Sequence, residues 1–161
     1  MALFAVAVAG FPSLFQKTGL LQFAPPAYAK MRQDKLTIEP AGGGAGHTFD
    51  IEVASSEQEK RLGLMYRTAI GDSEGMLFPY MDEHEISMWM HNTYIPLDMV
   101  FIRLDGTIAR IEERAEPLSD RVIASGAAVA AVLELQGGTA ARLGIKPGDK
   151  VRYPLFKNAA H

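Results

Sequence analysis

A single carboxylate, Glu134, interrupts the apolar run VAAVLEL over residues 129–135. If both faces of that run are covered, the carboxyl leaves water and its pKa rises unless a cation sits close. A carboxyl held in that state can act as a general acid or base. Arg61, Arg67 and Arg110 are the candidate partners. A rim position with the head in water is the structural alternative.

A second group lies in ISMWMHNTYIPLDMVFIRL, residues 86–104, which holds the one tryptophan of the chain. Asn92, Thr93 and Asp98 bracket a polar loop between two apolar runs. Placed on one face with Arg61, they would form a cleft that binds a polar ligand, with Trp89 stacking beside it. Asn and Asp at strand ends also shape turns by bonding local backbone, and a lone tryptophan also serves as a core anchor. Placement of Arg61, Asn92, Asp98 and Glu134 on different surfaces would overturn both a shared cleft and an enzyme built on these residues.

Six of the eight methionines fall between Met65 and Met99. Met88, Met90 and His91 form a weak copper(I) set, since thioethers and imidazole suit that ion. The competing reading is a strand whose methionines fill an irregular core. There is no cysteine, which excludes disulfides, thiolate nucleophiles and cysteine metal sites. No nucleophile elbow or phosphate-binding loop occurs, and no cofactor is expected.

Composition frames these residues. The chain has 161 residues, 48% hydrophobic and 22% charged, with a formal net charge of −3. That describes one ordinary globular domain with no basic stripe for nucleic acid. Residues 1–29 read as a signal peptide: an apolar start, then Ala27-Tyr28-Ala29 before Lys30. Positive charge is missing from its first 16 residues. The apolar run is too short to span a membrane, so the mature form is expected to lack an integral span and to be periplasmic or secreted. Residues 30–46, ending in AGGGAG, read as a flexible linker, and residues 47–157 as the single globular domain.

Within that domain, HTFDIEV (47–53) alternates as a half-buried strand. Ser56 and Glu59 have capping-box spacing before a short helix that should end near Met65 or Tyr66. Met76 to Phe78 is a short strand stopped by Pro79. Glu85 to His91 alternates, with Ile86, Met88 and Met90 inward. Met99 to Leu104 and Thr107 to Ile111 pair across Asp105-Gly106, a two-residue type I′ signal. Glu112 to Gly126 looks irregular. Ala127 to Leu135 is an apolar strand, Thr139 to Leu143 a helical turn closed by Gly144, and Val151 to Tyr153 a last strand. The expected fold is α+β and β-rich: a mostly antiparallel curled sheet or small barrel with one or two short helices.

The ordered series RLGLMYR (61–67), EGMLF (74–78), WMHNTYIPLD (89–98), VLEL (132–135) and GIKPGD (144–149) resembles the domain-of-unknown-function 192 family. The resemblance implies an often exported protein, and it supplies no activity or catalytic residue. His91 stands where that family more usually has lysine. The expected function is a small exported binding module for a polar small molecule or peptide, held by Arg61, Trp89, Asn92, Thr93, Asp98 and Glu134. The alternatives are a hydrolase or isomerase using Asp98 or Glu134 as acid/base, and a periplasmic copper-binding protein.

Overall fold

The structure, a computed structural model, describes residues 30–156, with only the backbone of Met81. The signal peptide read at 1–29 lies outside the described residues. Seven strands form one sheet: β1 (Arg32–Glu39), β2 (His47–Val53), β3 (Glu74–Met88), β4 (Leu97–Ile102), β5 (Ile108–Ala115), β6 (Ile123–Gln136) and β7 (Lys150–Arg152). Their order is β5-β4-β6-β3-β2-β1-β7. The sheet is strongly curled, in the manner of a half-barrel. Its two edges meet where Thr107, just before β5, bridges Lys150 of β7. Two short helices, α1 (Glu57–Leu62) and α2 (Thr139–Leu143), complete the fold.

The sheet is mixed rather than uniformly antiparallel. β2 and β3 run parallel, while the other neighbours are antiparallel. Residues 54–73 connect them and contain α1, which is the crossover that parallel pairing requires. The strand–helix–strand order was therefore present in the sequence, masked by the hairpins around it.

Both faces of the central strands are covered. On one side Leu36, Ile38, Ile51, Val100, Leu133 and Val151 pack with Ala140 of α2. On the other, Met76, Phe78, Met90, Met99, Phe101 and Val132 pack with Leu64. Every residue of β4 is buried. Each large side chain so enclosed contributes roughly 1.5–3 kcal/mol relative to exposure.

Several local expectations change. Residues 112–115 and 123–126, read as irregular, are the ends of β5 and β6. Part of the stretch read as a linker is strand β1, because Leu36 and Ile38 alternate with polar neighbours and enter the core. Pro79 does not end a strand. β2 stops pairing at Leu77, so the missing N–H falls where β3 has no outer partner. The 103–107 turn is not type I′: only Gly106 has positive φ, 78°, and its N–H donates to the Arg103 carbonyl. That is a type I turn closed by a left-handed glycine.

Candidate functional site

Glu134 lies on β6, opposite Met76 of β3 and Met99 of β4. Leu133 and Leu135 face the α2 side, so the pleat turns Glu134 to the α1 side. It is buried, and burial alone pushes its carboxyl up to about 8. Among the described residues its carboxyl has no hydrogen bond and no ion pair. Arg67 instead grips Glu52 with two bonds of 2.9 and 2.6 Å. Arg110 is engaged by Glu112 and by the Ala124 carbonyl. Neither arginine reaches Glu134.

Above Glu134 opens a cleft of about 450 Å³. Its formation follows from the local chain. Ser56 caps α1 and Glu59 returns the bond to the Ser56 N–H at 2.7 Å, fixing where the helix starts. Gly63 ends the helix with φ 47°, earlier than the spacing suggested, directly above the Phe78 ring. α1 thus sets Lys60 and Arg61 along one wall. Across from them β3 shifts register between Pro79 and His84 and again between Glu85 and Ser87. Such irregularities bend a strand and re-aim its side chains. Tyr80, Met88 and Trp89 form that second wall, with Thr93 beside them.

Electrostatics divide the cleft. Tyr80 is half-buried, and desolvation followed by the nearby Glu134 and Glu57 raises its phenol. Lys60 lies 4.5 Å from the Tyr80 ring centre and pairs with Glu57 at 3.1 Å. Arg61 is exposed at the rim and has no hydrogen bond or ion pair among the described residues. The cleft therefore has a carboxyl floor without a cation, apolar walls, and an unengaged guanidinium at its edge. It can take a ligand that brings hydrogen bonds or charge to Glu134 and an acidic group to Arg61.

Arg61, Trp89, Thr93 and Glu134 are brought together in this cleft. Trp89 is 54% exposed, so it offers a stacking face rather than a core anchor. Thr93 is buried and its hydroxyl donates to the His91 carbonyl at 3.3 Å. Asn92 stands behind the wall. Its Nδ2 donates to the Tyr66 hydroxyl at 2.9 Å, and its carbonyl accepts the Tyr66 N–H at 2.8 Å. Both residues have positive φ, 53° and 64°, and together they tie the post-helix turn to the 89–96 loop.

Asp98 does not join the cleft. It is buried on the α2 side, where Oδ1 accepts the N–H groups of Arg114 (2.8 Å) and Gly138 (2.9 Å) and Oδ2 that of Ala140 (2.8 Å). All of this is backbone shaping, the alternative open for an Asp at a strand end. The copper set is also poorly arranged. Met90 is buried, and His91 is exposed with Nδ1 2.7 Å from Asp120. Among the described residues no three His, Asp or Glu side chains cluster as metal ligands. Sequence reasoning missed Tyr80 and Lys60. Tyr80 follows a proline that seemed to end its strand, and Lys60 looked like one more solvated helix residue.

Comparison with known proteins adds a family and a fold. Residues 38–153 match the model of the DUF192 family, described as an uncharacterized ACR. A crystal structure from Sinorhizobium meliloti 1021, described as a "putative transcription regulator", is similar, with 41% identity, 76% of this chain and 95% of that chain covered, and a TM-score of 0.74. A protein of unknown function from Novosphingobium aromaticivorans DSM 12444 is similar at 39% identity, covering 79% of this chain and 89% of that one, with a TM-score of 0.74. No curated protein matches.

Proposed function

The chain belongs to the DUF192 family, and for this member we propose a small exported binding module that holds a polar small molecule or peptide in the cleft over Glu134. The observation that carries the reading is the convergence of Arg61, Trp89, Thr93 and a buried Glu134, unpaired among the described residues, on one concave surface. A buried carboxyl without a partner is costly to keep for packing alone, and a ligand that bonds to it offsets that cost. DNA binding is not part of the proposal, because a net charge of −3 offers little to phosphates.

A second reading, acid/base catalysis, is favoured by one feature: the Glu134 carboxyl is held near 8, where it can give and take a proton at neutral pH. Asp98 is no longer a candidate for that role, since three backbone N–H groups occupy its carboxylate.

The test is a screen of polar metabolites and short peptides, read by backbone NMR shifts. Saturable shifts should centre on Arg61, Trp89, Thr93 and Glu134 and vanish in Trp89→Ala. Binding that maps elsewhere, or no saturable shift across the screen, would refute the cleft. Export is proposed as a separate property, with cleavage after Ala29. Intact mass of protein recovered from the envelope should begin at Lys30, and a full-length cytosolic species would contradict it.

A further inference from the structure

Resting on the cleft reading above, we infer that the ligand is a small zwitterion with separated ends and an apolar body, such as a di- or tripeptide, its ammonium on Glu134 and its carboxylate on Arg61. The floor selects the positive end. Glu134 shares the cleft with Tyr80 of β3 and acts electrostatically on its phenol, with His84 in edge contact with the Tyr80 ring at 5.4 Å. β4 presents only Met99 opposite it. From α1 come Glu57, Lys60 and Arg61. Lys60 is held by Glu57 and the Tyr80 ring, so neither it nor Arg61 neutralises the floor. Both ionisable groups at the base, Glu134 and Tyr80, become negative when they lose a proton.

The rim selects the negative end. Arg61 is exposed and unengaged among the described residues, and a guanidinium takes a carboxylate through two parallel bonds. Between the ends the walls are Leu62, Leu64, Met65 and Met88, with Trp89 open to solvent at the edge. Such a surface suits an aliphatic or aromatic side chain. A neutral ligand would leave the floor protonated, and a simple anion would leave it unmatched.

Binding then has a proton signature. The free carboxyl at about 8 is mostly protonated at pH 7. An arriving ammonium stabilises the ionised form, so close to one proton is released for each ligand bound. The experiment titrates the protein with Leu-Leu and Leu-Leu-Leu by calorimetry at pH 7 in two buffers of different ionisation enthalpy. N-acetyl-Leu-Leu and Leu-Leu amide are the controls, and Glu134→Gln the variant. At least one zwitterion should bind with release of nearly one proton. N-acetylation and E134Q should each weaken binding at least tenfold, E134Q abolishing proton release while retaining the native fold by circular dichroism. The amide should bind several-fold more weakly, and Arg61→Ala should erase that difference. Failure of both zwitterions, equal binding of the N-acetyl form, or binding without proton release would overturn the inference. The cleft reading falls separately, only if the wider screen finds no ligand there.

Discussion

Asp98 and Glu134 sit one register step apart on adjacent strands and face opposite sides of the sheet: Asp98 pairs with Leu135, and Glu134 pairs with Met99. The pleat gives two buried carboxyls two environments. Asp98 meets three backbone donors and holds the β6–α2 turn and the end of β5 together. Glu134 meets a cleft and, among the described residues, no donor. The first is architecture; the second is the group on which the proposed ligand reading rests.

Asp98→Ala should therefore be severely destabilising. It leaves the N–H groups of Arg114, Gly138 and Ala140 without their acceptor. Each buried unsatisfied donor costs about 1–3 kcal/mol, so a loss of roughly 3 kcal/mol or more is expected in urea unfolding. Native Trp89 emission should stay unchanged, because the cleft lies across the sheet. A loss under about 1 kcal/mol would contradict this role.

Glu134 makes stability depend on pH in an unusual direction. Its folded-state pKa is raised to about 8 from an ordinary value of 4.5. Between those values the folded protein holds a proton that the unfolded chain has released. Stability contributed by this group thus falls as pH rises from about 4.5 to about 8, by on the order of a few kcal/mol. Glu134→Gln cannot titrate and should remove that slope. Urea unfolding at pH 5.5 and 8.0 checks it; identical pH dependence in both proteins would count against a buried neutral carboxyl.

Gly63→Ala tests the corner that opens the cleft. The residue needs φ 47°, and an added Cβ would meet the Phe78 ring at 3.3 Å. A cost of about 1–2 kcal/mol is expected, with changed Trp89 emission if the α1 wall moves. A neutral substitution would mean the helix end is not held by this glycine.

Ser56→Ala should cost about 1 kcal/mol through the lost cap on the Glu59 N–H. Thermal melts of the two proteins are the measurement. No change in Tm would mean that α1 is held by Leu62 and its neighbours alone.

Much of the frame was legible because the sequence writes it locally. β2 is HTFDIEV with the bounds read from alternation, the Ser56–Glu59 box caps α1, and Gly144 closes α2 with φ 68°. Ile86 and Met90 point inward, and Trp89 outward, as alternation required. The failures arise where tertiary pairing overrides local punctuation. AGGGAG hid the two core residues of β1. Pro79 looked like a stop because nothing in the sequence shows that its missing N–H falls where β3 has no outer partner. The parallel pair of β2 and β3 is a relationship between distant segments, and the hairpins nearby obscured it.

The site was half legible for the same reason. Glu134 was conspicuous as a charge in an apolar run, and the rules of strand alternation could say that it faces away from Leu133. They could not say what covers that face. Asp98 drew attention by its polarity, yet its parity with Val100 and Ile102 already placed it on the α2 side. Tyr80 and Lys60 enter the cleft only through the bend in β3 and the start of α1.

The most direct test of the central claim is the side-chain carboxyl ¹³C titration of Glu134, recorded free and with saturating Leu-Leu. The account predicts a midpoint near 8 in the free protein and a ligand-bound midpoint lower by at least a hundredfold in proton affinity, as release of nearly one proton at pH 7 requires. A free midpoint near the ordinary 4.5, or one that Leu-Leu leaves unmoved, would contradict it.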